Sequence, residues 1–299
     1  MISVLICSVR PDLLDRVKQS VASTIGVDYE CLASDNRNTG KGICQVYNEL
    51  AERARFPILL FLHEDVTFEN TNWGLRFIEQ FEHDNQLGLV GLAGSNTKSR
   101  SASGWYTADP AHDRYHILHQ MPGAFEQLHQ VPDEMKSFFR VVCLDGVFLC
   151  CRRSVWESIR FNERDLRGFH FYDLDFSLRV SKQFHVAVTT LVELTHHTDA
   201  GGDYSSNWVR EALAFHSRWG DQLPLSIDQQ HISEYSIQRI WMDRLKDQPI
   251  SFTDRLRWIF AQRLWRTPAN LYSIGKFLLY RPLRLRYLHR YLRSRKSAH

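Results

Sequence analysis

Four places in this chain of 299 residues put carboxylates or imidazoles where apolar sequence gives way to polar sequence. They are Asp35, the triplet His63-Glu64-Asp65, the pair Asp173/Asp175 and the pair His196/His197. Acidic side chains at the end of a buried strand are oxygen ligands of the kind a hard divalent cation takes. In an open α/β sheet, ligands bind outside the carboxyl ends of the strands, which is where the triplet stands. A single acid at such a point means little, because turns favour Asp for backbone reasons. Four such places, each able to reach one sheet edge, point to a shared site.

The elements that position them follow from the pattern. Phe56–Leu62 is a short β-rich apolar run that reads as a strand buried on both faces. Before it, Ile2–Val9 is a strand, and Pro11-Asp12 opens a helix with Leu13, Leu14, Val17 and Val21 at helical spacing. Tyr29–Ser34 is a second strand, and Ile43, Val46, Leu50, Ala51 and Ala54 mark an amphipathic helix. Strand, helix, strand, helix, strand predicts a parallel α/β sheet with right-handed crossovers. Farther on, a helix over Asn72–Phe81 is expected to turn Leu75, Ile78 and Phe81 inward. Residues 95–137, polar and broken by Gly and Pro, read as a lid or binding loop. Ser154-Val155-Trp156-Glu157 matches a capping box, and a helix starts near Asp173. Val186–Leu194 reads as one strand ending at the two histidines, and Ser206 caps a helix burying Trp208, Ala212, Phe215 and Trp219. Beyond Pro224 the chain reads as helical.

The apolar fraction and ordinary charge content describe a globular protein with a sizeable core. Charge is uneven. Residues 253–299 hold 12 Lys/Arg and one acid, Asp254, which leaves 25 basic and 33 acidic side chains of the chain's 37 and 34. The six cysteines form no C-x-x-C pair and several lie in apolar runs, which fits a reducing setting. The N-terminal stretch is too short and uncharged for a signal peptide, and no apolar run reaches the ~18–20 residues of a membrane span. Together these predict a cytoplasmic protein, or one peripheral to the inner face of a membrane.

Over residues 1–220 the chain resembles the GT-A glycosyltransferases, specifically the family 2-like nucleotide-sugar transferases. The resemblance rests on the strand ending in Asp35-Asn36 before a Thr-Gly loop, the Val46-Tyr47-Asn48 helix, and a strand closing on an acidic motif. That motif is usually Asp-x-Asp; here it reads His63-Glu64-Asp65, so Asp65 matches the second Asp and His63 replaces the first. Asp145-Gly146-Val147-Phe148 looks like the family's segment before the acceptor site. Gly168 to Asp175 resembles the stretch ending in Glu-Asp, with Tyr172 in place of the Glu and Asp173 in place of the general base.

The resemblance implies a Rossmann-like GT-A domain over residues 1–222, with a mainly parallel central sheet flanked by helices. A helical region over 223–299, basic from about 253, would follow. It implies an inverting transferase that moves a sugar from a nucleotide-diphosphate donor, UDP-linked, to a glycan or lipid-linked acceptor, with Mn²⁺ or Mg²⁺. Asp65 with His196 or His197 would hold the ion, and Asp35 would accept a hydrogen bond from the nucleotide base. Glu64, Arg10 and Lys41 would lie along the donor, and Asp145, His170, Asp175 and Trp105 around the acceptor. The physical requirements agree: the departing diphosphate needs charge stabilisation, and an acceptor hydroxyl needs a carboxylate to take its proton. Asp173 and Asp175 are about 200° apart on a helix at ~100° per residue, so only one can serve one oxygen. Asp173 takes the base role and leaves Asp175 as acceptor contact or helix cap. The Arg-rich amphipathic tail suits an anionic membrane surface, or equally a cap packed on the domain. Nucleic acid is disfavoured by the acidic remainder. The rival reading is a non-catalytic module that binds a nucleotide sugar or glycan.

Overall fold

The computed structural model describes residues 1–121, 124–197, 204–228 and 232–279. The chain opens with β1 (Ile2–Ser8), α1 (Pro11–Thr24), β2 (Tyr29–Asp35), α2 (Ile43–Arg53) and β3 (Ile58–Leu62). Next come β4 (Val66–Phe68), α3 (Trp73–His83), β5 (Leu87–Gly91), β6 (Ala93–Ser95) and β7 (Thr97–Lys98). A hairpin of β8 (Asp113–Met121) and β9 (Ala124–Gln130) precedes β10 (Phe138–Val141), β11 (Cys143–Leu144) and β12 (Phe148–Arg152). After α4 (Arg153–Ile159) and α5 (Tyr172–Ser181) come β13 (His185–Thr189), β14 (Leu194–His197) and α6 (Ser206–Trp219). The last elements are β15 (Leu225–Ser226), α7 (Glu234–Leu245), α8 (Phe252–Ala261) and α9 (Leu271–Leu279).

The central sheet has seven strands in the order β10-β13-β5-β12-β3-β1-β2. The expected parallel pairing holds for β2-β1-β3 and for β5-β13, while β12 runs antiparallel between β3 and β5. All five residues of β3 are buried, and their period of two divides them between two cores. Leu59 and Phe61 face α2 and α5 to α9; Ile58, Leu60 and Leu62 face α1 and α3. The sheet is thus covered by helices on both faces, as a both-sided apolar run requires.

A second sheet, β11-β6-β8-β14-β4 with β9 on β8, stands at the carboxyl end of the first. It corrects two sequence readings. Residues 95–137 are not one irregular lid, because 115–121 pair with 124–130 as β8 and β9. Both faces of that hairpin mix polar and apolar side chains, so alternation leaves little trace. The expected single strand 186–194 is two strands in different sheets, β13 and β14. In α3 the inward stripe is Trp73, Phe77 and Phe81, four residues apart, and Leu75 is exposed. The capping box at Ser154 does not form. Arg153 leads the helix instead, its amide on Pro57 O (2.8 Å) and its guanidinium on the carbonyls of Phe56 and Ala54. The cap of α6 is Ser205, which accepts from the Trp208 amide, and the four predicted residues of α6 are buried.

Helices α7 to α9 bury Ile237, Trp241, Leu245, Trp258 and Phe277 in the same core as the sheet. Buried Arg255 fastens them together, donating to Phe277 O (2.6 Å), Lys246 O (2.8 Å) and Ile250 O (3.2 Å). The tail leucines 285, 288 and 292, and most of the basic run, lie outside the described residues, as does the Gly201-Gly202 turn. No helix among the described residues is long and apolar enough to cross a membrane.

Candidate active site

The site begins where β3 ends. The His63 amide donates to Val147 O (3.2 Å), and the chain then passes through Asp65 into β4. β14 pairs antiparallel with β4, with His196 opposite Val66 and the His197 amide on Asp65 O (2.8 Å). This places the His196 imidazole beside the Asp65 carboxylate, Nε2 to Oδ2 3.2 Å. His63, two residues before Asp65, turns to the same side, Nδ1 to Oδ1 3.9 Å. The ligand atoms of His63, Asp65 and His196 all lie within 4.8 Å of one another. His197 points to the opposite face of β14, where Nε2 meets Thr67 Oγ1 at 2.8 Å. Neighbouring strand residues face opposite ways, so only one of the two histidines can join Asp65.

The triad fits a divalent cation on its own terms. Asp65 Oδ1 is buried and has no hydrogen-bond partner, an arrangement that buried carboxylate oxygens rarely tolerate. Burial would raise the Asp65 carboxyl, but the hydrogen bond and charge of His196 prevail and hold it below its ordinary value. Burial works against a charged His196, and the Asp65 hydrogen bond outweighs it, so His196 is raised. His63 is lowered, chiefly by burial with Asp65 opposing, which favours the neutral imidazole a metal ligand requires.

A cavity of about 650 Å³ is lined by His63 and His196 and also by Asp145 and Asp173. Asp145 is fixed by two donors, the Trp105 indole (2.8 Å) and the Val147 amide (3.0 Å). Asp173 sits in the first turn of α5. Burial, then the like charge of Asp145, pushes its carboxyl well above the usual carboxylate range. The residue before α5, Phe171, has φ +66°, uncommon for a bulky side chain; its ring is held against Phe215 and Trp208. Tyr172 Oη lies 2.8 Å from His63 Nε2 and donates to Gly146 O at 3.1 Å. A Cβ at Gly146 would come within 2.1 Å of that hydroxyl, so only glycine lets the 145–147 turn rest on α5.

Other residues named from the sequence take different positions. Trp105 and His170 line the cavity. Asp175, on the far side of α5 as the 200° separation requires, is buried with Arg179 (2.8 Å) and the Trp219 indole (3.2 Å). Glu64 turns back to close the loop after β1, accepting from Ser8 Oγ (2.6 Å) and the amides of Val9 and Arg10. Asp35, in register with Ser8 at the sheet edge, is exposed and gripped by Arg37, whose hydrogen bonds lower it to about 2. Arg10 pairs with Asp12 (3.0 Å) and Lys41 with Glu49 (2.7 Å). These last three surround the carboxyl ends of β1 and β2 rather than the cavity.

The cavity also holds residues the sequence did not single out: His119, Tyr204, Trp241 and Arg244, besides Trp208, which was read only as core. His119 packs edge-on against His196, ring centroids 5.3 Å apart. Trp208 and Trp241 stack face to face at 5.1 Å and 4°. Helical spacing marked Trp208 as buried and carried no sign that it walls a cavity, while Trp241 lay unremarked in a stretch read only as helical.

Known proteins can now be set beside this geometry. A sequence model of the glycosyltransferase-like family matches residues 4–209. The streptomycin biosynthesis protein StrF of Streptomyces griseus is 23% identical over 198 residues, 65% of this chain, which spans 66% of StrF's length. Overlays on solved structures are loose. GalNAc-T7 with UDP, GalNAc and Mn²⁺ gives a TM-score of 0.48 at 11% identity, over 68% of this chain and 44% of that one. S. aureus TarS gives 0.48 at 11% identity, over 87% of this chain and 47% of that one. Overlays at this level carry no argument about chemistry. The family match spans β1 to the first turn of α6 and includes Asp65, Asp145, Asp173 and both histidines, and by it this chain belongs to the glycosyltransferase-like family.

Proposed function

We propose that the protein transfers a sugar, with inversion, from a UDP-linked donor to a hydroxyl of a glycan or lipid-linked acceptor. The observation that carries this reading is that His63 and His196, clustered with Asp65, line one aromatic-walled cavity together with Asp173. Asp65 and His196, joined by His63, would hold a divalent cation, whose chemistry there is to offset charge on the departing diphosphate. Two imidazoles in the set favour Mn²⁺ over Mg²⁺, which prefers oxygen ligands alone. Asp173, raised into a range where it can take a proton near neutral pH, acts as general base toward the acceptor hydroxyl. Asp145 keeps that carboxylate basic by its like charge, and Trp105 fixes Asp145. Asp35 accepts a hydrogen bond from the nucleotide base, which requires Arg37 to release or share it. Residues 1–222 form the catalytic part in this reading, and 223–299 complete the acceptor side.

The test is a thermal-shift titration with UDP, with and without Mn²⁺, on the wild type and Asp65→Asn. A ligand that binds only the folded protein raises its apparent stability. The expected result is an Mn²⁺-dependent rise that the variant loses, since removal of a ligand or its support costs about 10–100-fold in metal affinity. A UDP response indifferent to Mn²⁺ and to Asp65 would sink the metal assignment.

A further inference from the structure

Beside the first cavity lies a second hollow of about 630 Å³, and Tyr106 and Arg244 form part of the wall of both. The rest of it is built by α7 and α9, outside the residues that the family shares. Its charge is one-sided. Arg239, Arg244, Lys246 and Lys276 meet a single carboxylate, Asp243, which pairs with Lys246. Among the described residues, Arg239, Arg244 and Lys276 have no carboxylate partner. Each lies against an aromatic ring instead: Arg239 over Tyr235 (5.5 Å), Arg244 over Tyr106 (4.6 Å), Lys276 over Tyr272 (5.7 Å). A ring face holds a cation in place without neutralising it. Among the described residues, Arg244 makes one hydrogen bond, to Tyr204 Oη at 3.2 Å, which leaves most of its five donors for other acceptors. Ser236 and Ser273 add hydroxyls to the same walls.

Several cations held in a hollow repel one another unless an anion joins them, and a guanidinium with an ammonium and hydroxyls matches a phosphate's tetrahedral acceptors. We propose that this hollow is an anion subsite that takes a phosphate group carried by the acceptor. Its assignment to the acceptor rests on the transferase reading, because the hollow shares Tyr106 and Arg244 with the cavity that Asp173 lines. The phosphate binding itself does not depend on that reading. The phosphate can belong to a soluble phosphorylated glycan or to a lipid headgroup.

The test uses the full chain in EDTA, so that the triad holds no metal. sn-Glycerol 3-phosphate is titrated by tryptophan fluorescence, since Trp241 lies against Arg244 at 5.5 Å. Phosphatidylcholine vesicles with and without phosphatidylglycerol are tested by co-sedimentation. The variant is Arg239→Gln with Lys276→Gln, both exposed, so the fold is expected to survive, with an unchanged Tm as the control. Expected is saturable binding that weakens with salt and falls by about tenfold or more in the double variant, while the UDP and Mn²⁺ thermal shift stays as in the wild type. Loss of binding confined to the soluble probe assigns the phosphate to a glycan; loss confined to the phosphatidylglycerol vesicles assigns it to a lipid. The proposal is overturned if neither probe saturates, or if the double variant binds both as the wild type does. Phosphate binding that depends on Arg239 and Lys276 in a protein unresponsive to UDP would uphold the subsite and overturn the transferase reading.

Discussion

Asp35 on the rim of the central sheet and Asp173 on the cavity wall are the same side chain in opposite settings. Asp35 stands in water with a guanidinium on its carboxylate, which keeps it ionised far below neutral pH. Asp173 is shielded by α5 and the 145–147 turn and faces a second carboxylate, so it holds its proton to much higher pH. A hydrogen-bond acceptor for a nucleotide base needs only to stay ionised, whereas a base for a hydroxyl must also want a proton. The two surroundings thus suit the two carboxylates to the different tasks proposed for them.

The largest test of that contrast is Asp173→Asn. It should lower kcat by about 10²–10⁴, the range associated with a lost general base, and leave the UDP and Mn²⁺ thermal shift intact. The same variant should be more stable than the wild type at neutral pH. Asp173 has a raised folded pKa, so its stabilising share is complete below the ordinary carboxylate range and is lost as pH rises through the raised value. A melting series against pH should lose that decline in the variant. Wild-type turnover in Asp173→Asn would end the assignment.

Next in size is Asp145→Asn. Removing the like charge should let Asp173 ionise more readily and move the acid limb of the kcat/KM profile to lower pH. An unmoved limb would mean that Asp145 does not tune Asp173. The smallest effect belongs to Asp35→Ala, expected to raise the donor KM several-fold, with kcat and Tm unchanged, because an exposed ion pair adds little to stability. A fall in kcat matching that of Asp173→Asn would erase the distinction between rim and wall.

How much of this was legible beforehand depended on whether a residue's signal was local. The α/β order was readable because β3 is apolar on both faces and α2 keeps its helical stripe. Asp65, Asp145 and Asp173 could be named as candidates because each stands at an element's end within a recognisable segment. The choice of His196 over His197 was not, since it depends on which face of β14 meets β4, and nothing within four residues decides that. His63 looked like a defect in an acidic motif until the fold turned it beside Asp65. Arg244 and Trp241 reach the cavity from a helix some 70 residues after Asp173, and the sequence there read only as helical.

The Tyr172 hydroxyl has a consequence for where one proton sits. It carries a single hydrogen, and satisfying both of its contacts requires that hydrogen to go to the Gly146 carbonyl, which can only accept. The short contact with His63 Nε2 must then run the other way, with the imidazole donating to the tyrosine oxygen. In that arrangement His63 is the Nε2–H tautomer, and its Nδ1 presents a bare lone pair toward Asp65 Oδ1, itself without a partner. Two electron-rich atoms turned toward each other repel, and a positive charge shared by both reverses the sign. In that arrangement the Tyr172 hydroxyl selects, through one proton, which nitrogen of the neighbouring ring faces Asp65.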